Sequence, residues 1–102
     1  MKAPDPLTSV ERNVRIPNAL GLHARAAGRF VRVAGNFKSA ITVDKDGVAV
    51  SGLSIMGLLM LAAGVGSELR LQATGPDAEA AMAALTALVE SGFDEGVGGV
   101  AP

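Results

Sequence analysis

The chain has 102 residues, 49% of them hydrophobic, which suffices for one domain with its own core and excludes a disordered chain. Nine basic and ten acidic side chains leave a net charge of −1, so no global field draws it to nucleic acid or an anionic membrane. The absence of Cys excludes disulfides, thiol chemistry and Cys-ligated zinc, a single His excludes a His cluster within the chain, and neither metal nor cofactor is expected.

Residues 1–10 carry Pro4 and Pro6 without periodicity and read as a loose tail. No apolar core follows Lys2, so no signal peptide is expected. The most apolar stretch, Leu53 to Val65, is broken by Ser54, Gly57 and Gly64, and it is shorter than the ~20 residues that span a bilayer. These features predict a cytoplasmic protein with one domain over 11–95 and a second loose tail over 96–102.

Val14 and Ile16 alternate with polar neighbours, the mark of a strand with one buried face. A loop with Gly21 follows, and a helix is expected after His23. There Ala27, Phe30, Val31 and Ala34 form one apolar stripe, and Arg25, Arg29 and Arg32 lie on another face. Gly35 is expected in a left-handed conformation at the end of that helix. Ile41 and Val43, the turn Asp44-Lys45-Asp46-Gly47, then Val48 and Val50, predict a hairpin.

Ser54 is expected to cap a short apolar helix through about Leu61. Leu69, Leu71 and Ala73 predict a fourth strand. Pro76 is expected to open the last helix, with Asp77 in its first turn and Ala81, Leu85, Leu88 and Val89 buried. Gly92 should end it, with Phe93 packing back on Leu88 in a Schellman ending. The order βαββαβα with half-buried strands predicts an α+β, open-faced sandwich: a four-stranded, mainly antiparallel sheet with three helices on one face.

His23 is the only imidazole. The N–H groups of a helix's first turn have no intrahelical partners and attract anions. Arg25 can add a guanidinium. Neutral imidazole is a nucleophile, so His23 and Arg25 are candidates for a covalent phosphate-carrier site. A lone His at a helix start is, however, commonly just a surface residue, and composition alone does not decide between the two.

The string Asn18-Ala19-Leu20-Gly21-Leu22-His23-Ala24-Arg25-Ala26-Ala27 resembles the active-site signature of the HPr family, the histidine phosphocarriers of the bacterial phosphotransferase system. Ser54 opening a short helix and the element order resemble the family too, over roughly residues 11–95. Leu58-Leu59-Met60-Leu61, Ala73-Thr74-Gly75-Pro76 and Ser91-Gly92-Phe93-Asp94-Glu95 resemble its nitrogen-related, NPr-like branch. Ala26 departs from the proline common in sugar-system members. It supplies an N–H that proline lacks.

The resemblance implies a phosphocarrier, not an enzyme. His23 would accept a phosphoryl group on Nδ1 from an enzyme I-type protein, Arg25 would stabilise it, and an enzyme IIA-type protein would receive it. Ser54 would be a regulatory site for an HPr kinase, or simply a cap. Leu22, Arg25, Arg29, Ile55, Met56 and Leu59 are expected to form the docking surface of a monomer. Two rivals differ in class: a regulatory interaction module that works through the 54–61 helix without phosphorylation, and a ferredoxin-like ligand sensor that pairs through its sheet edge. Gly28, inside the first helix, is attributed to close packing.

Overall fold

The computed structural model describes residues 8–95. Four strands and three helices follow in the order β1 (Ser9–Arg15), α1 (Ala24–Ala34), β2 (Ala40–Lys45), β3 (Val48–Ser51), α2 (Ile55–Met60), β4 (Glu68–Thr74) and α3 (Ala78–Glu90). The sheet order is β1-β4-β2-β3. Every pairing among the described residues is antiparallel, in line with the expected mainly antiparallel sheet. Residues 1–7 of the tail expected over 1–10, and the whole tail expected over 96–102, lie outside the described residues. Ser9 and Val10 pair with Thr74 and Ala73 and belong to the sheet, so the N-terminal tail does not reach residue 10.

Alternation sets the layers. In β4, Leu69, Leu71 and Ala73 are buried, while Glu68, Arg70 and Gln72 face water. Val14 of β1 and Ile41 and Val43 of β2 join the buried face, and the helices cover it. From α1, Ala26, Ala27, Phe30 and Ala34 are buried; from α3, Ala78, Ala81, Met82, Leu85, Leu88 and Val89. The largest side chains in the core are Phe30 and Phe93. Truncating a buried Phe to Ala typically costs about 3–5 kcal/mol, so these two carry much of the packing.

Three local expectations need correction. Asp44 and Lys45 belong to β2, and the hairpin turn is only Asp46-Gly47, with φ of 53° and 87°. Two successive positive φ values form the tight turn whose twist matches its strands. Gly35 is right-handed, with φ −67°, because α1 ends in tightening turns: Gly35 N–H donates to Val31 and Asn36 N–H to Val33. Pro76 precedes α3, and Asp77 holds the cap position with its carboxylate turned elsewhere. Lys38 N–H donates to Asp77 Oδ2 at 2.8 Å; Ser39 N–H and Oγ–H donate to Oδ1 at 2.9 and 2.6 Å. These bonds, the Ser39 hydroxyl's first and the Lys38 amide's next, hold the Asp77 carboxyl below the usual carboxylate range.

The α3 ending matches expectation. Phe93 N–H donates to Leu88 O and Gly92 N–H to Val89 O, both at 2.9 Å, and Gly92 is left-handed at φ 70°. That is the Schellman pair of bonds, and Phe93 is fully buried.

Candidate functional site

Gly21 brings the chain to His23. Its φ is +64°, and an added Cβ would lie 2.5 Å from Ala63 O and 2.7 Å from Gly64 Cα. Only glycine fits both the angle and the approach. Leu22 N–H donates to Ala63 O at 2.8 Å, which fastens this loop to the segment leaving α2. Leu20, Leu22, His23, Ala62, Ala63 and Gly64 line a shallow open cavity of about 240 Å³.

His23 is the N-cap of α1, with extended backbone (φ −80°, ψ 179°) and no side-chain capping bond. The first intrahelical bond runs from Ala27 N–H to His23 O at 2.8 Å. The amides of Ala24, Arg25 and Ala26 therefore lie before the ladder begins, where a helix end favours anions. Ala26 is buried, and its backbone carries the amide that a proline would delete. Arg25 is exposed and makes no hydrogen bond or ion pair among the described residues. Its guanidinium is available to an incoming group.

The His23 side chain is one-quarter exposed. Nε2 contacts Glu95 Oε2, and Nδ1 has no partner among the described residues. Glu95 Oε1 accepts from Asn18 Nδ2 at 2.9 Å, and the same amide group donates to Gly21 O at 3.0 Å. Arg29 donates to Phe93 O at 2.6 Å and stands 3.9 Å from Glu95 Oε2. Three successive positive φ values, at Gly92, Phe93 and Asp94 (70°, 56° and 66°), carry the chain from α3 back to His23. For an L-residue such angles cost roughly 1–2 kcal/mol each. The buried Phe93 ring and the bonds of Asp94 N–H to Ser91 Oγ and Glu95 N–H to Gly92 O hold the turn against that cost.

The expected docking residues divide. Ile55 and Met56 are exposed, with Leu20, Leu53 and Met60. Leu22 is not part of a surface: it is buried at 5% exposure, because its own amide bond to Ala63 turns it into the core. Leu59 is half-buried against the core. Arg29 is half-buried and committed to Phe93 O, so it is no free rim charge. Ser54 caps α2 as expected, its Oγ accepting from Gly57 N–H at 2.9 Å. Asn18 and Glu95 were missed. Both lie within strings that resemble the family, Asn18 in the one around His23 and Glu95 at the end of Ser91–Glu95. Neither string marks them as partners of His23, because Glu95 reaches the ring only through the left-handed Phe93 and Asp94.

A histidine with one ring nitrogen held and the other open among the described residues, at a helix start whose first amides precede the hydrogen-bond ladder and two residues before the exposed Arg25, is chemically equipped to carry an anionic group. A family model described as PTS HPr component phosphorylation site matches residues 10–91. The phosphocarrier protein HPr of Cupriavidus necator is 47% identical over 87 residues, covering 85% of this chain and 98% of that protein. The phosphocarrier protein NPr of Shewanella violacea is 45% identical over 89 residues, 87% and 98% of the two chains. The crystal structure of HPr from Thermoanaerobacter tengcongensis superposes with a TM-score of 0.82 at 43% identity, covering 86% of this chain and 99% of that one. The chain belongs to the HPr family of phosphocarrier proteins of the phosphotransferase system. It is therefore a carrier of a phosphoryl group and not an enzyme with a turned-over substrate. No helix among the described residues is long and apolar enough to cross a membrane.

Proposed function

We propose that this carrier takes its phosphoryl group on His23 Nδ1 from a phosphohistidine of an enzyme I-type protein and passes it to an enzyme IIA-type protein, in a nitrogen-related regulatory relay in the cytoplasm. The observation that carries this reading is the state of the His23 ring: Nε2 held, and Nδ1 and the first amides of the helix it caps without partners among the described residues. Positioned donors and a guanidinium do most of what phosphoryl transfer requires. Arg25 supplies the guanidinium. The nitrogen-related assignment is supported by the NPr relative and by the Leu58–Leu61 and Ser91–Glu95 strings. Ile55 and Met56 form the apolar part of the docking surface, Arg25 its charge, and Ser54 a regulatory position at its border for an HPr kinase. The carrier acts as a monomer.

Incubation with an enzyme I-type donor and phosphoenolpyruvate, read by intact mass, tests the carrier. A gain of one phosphoryl group, ~80 Da, labile to acid and stable to base, is expected. His23→Ala should abolish it, and Arg25→Ala should slow it without lowering the melting temperature. Transfer that is faster to a sugar-type than to a nitrogen-type acceptor would refute the branch assignment. The exposed Leu20, Leu53, Met56 and Met60 favour a second reading, in which the apolar surface binds a partner regardless of phosphorylation. Full partner regulation by His23→Ala would establish that reading instead.

A further inference from the structure

We propose that Glu95 is a positioning residue for His23: its carboxylate takes the hydrogen bond from Nε2–H and so leaves Nδ1 as the bare nitrogen. The inference rests on the carrier reading and deepens it. A neutral imidazole carries one proton, and the partner of one nitrogen decides which. An ionised carboxylate only accepts hydrogen bonds. Its contact with Nε2 therefore places the proton there and the lone pair on Nδ1, which has no partner among the described residues.

The carboxylate is itself fixed. Asn18 donates to its other oxygen, Arg29 lies 3.9 Å away, and its side chain is only 15% exposed. Arg29 also ties down Phe93 O, so helix α1 grips the turn that delivers Glu95. A group 72 residues along the chain thus sets both the rotation and the tautomer of the ring. The left-handed residues Phe93 and Asp94 acquire a purpose, since they aim the carboxylate.

The step balances with these groups alone. The Nδ1 lone pair forms the new N–P bond as the N–P bond of the donor phosphohistidine breaks, and that electron pair returns to the donor's ring. The proton on Nε2 stays in place. The His23 ring gains positive charge, which Glu95 faces. Delivery to the acceptor runs the same step in reverse. The carboxylate sits at the other nitrogen and does not occupy the place that phosphorus takes.

The test uses the full chain with Glu95→Gln, which keeps the side chain's shape, together with Glu95→Ala and Glu95→Asp. Ring ¹⁵N spectra of neutral His23 should show one tautomer, protonated on Nε2, in the wild type, and a mixture in the Ala variant. Phosphoryl uptake at saturating donor should fall roughly tenfold in the Ala variant, with the half-saturating donor concentration unchanged, and Asp should restore part of it. Glu95→Gln should fall between wild type and Ala. Wild-type tautomer and rate in both the Gln and Ala variants would overturn the inference while leaving the carrier standing. A wild-type chain that takes up no phosphoryl group would overturn the carrier reading, and this inference with it.

Discussion

Ser54 has an observed role as a cap and a proposed one as a regulatory site. Its Oγ caps α2 through Gly57 N–H, and it borders the exposed Ile55 and Met56. Ser54→Asp should leave the fold intact, because aspartate caps a helix about as well and suits the positive end of its dipole. It should lower the association rate with the enzyme I-type donor, and added salt should recover part of the loss, since rim charge acts on encounter. Met56→Ala should instead speed dissociation with little response to salt. Binding kinetics at low and high salt check both, and unchanged kinetics in both variants would move the docking face elsewhere. Single residues were unevenly legible in the sequence. Gly21 and His23 announce themselves by type and spacing, because a forced angle and a lone imidazole are properties of residues. Leu22 does not: whether a loop leucine faces water depends on Ala63, 41 positions away, accepting its amide bond.

Helix α1 contains a reserve of stability. Close packing does not explain Gly28, because a Cβ there would meet nothing within 4 Å. Glycine inside a helix costs conformational entropy without a contact to offset it. Gly28→Ala should therefore stabilise the protein by about 0.4–1 kcal/mol. That corresponds to a melting temperature higher by roughly 2–8 °C for a domain of this size, with phosphoryl uptake unchanged. A lower melting temperature would show that the helix depends on the glycine. At this scale the elements themselves were legible, since the apolar periods of α1, β4 and α3 each select one face. Their ends were legible where the chain had to reverse within a few residues, as at Gly92. They were not where a helix could simply tighten, as at Gly35, or where Phe93 and Asp94 turn left-handed only because tertiary packing holds them.

Across the whole molecule, Asp77 fastens the start of α3 to the loop that enters β2. Its folded carboxyl titrates below its unfolded value, so the clamp stabilises fully above the ordinary carboxylate range. That contribution falls as the pH drops and is gone once the pH is below the folded value. The gap in melting temperature between wild type and Asp77→Asn should be widest near neutrality and close as acid is added. A gap that stays constant down to about pH 2 would assign the clamp's effect to shape and not to charge. The layered architecture followed from alternation and element order, but this clamp did not, because Asp77 reads equally well as a helix-start acid.

The pairing of Ser9 with Thr74 has a consequence for the chain as it is made. β1 leaves the ribosome before β4, its sole neighbour in the sheet among the described residues, and Thr74 lies 65 positions after its partner Ser9. At about 5–20 residues per second, β1 waits several seconds with every backbone donor and acceptor open. Glu11, Arg12 and Arg15 place charge along that strand through the interval. Such charge discourages pairing between two nascent copies until β4 emerges.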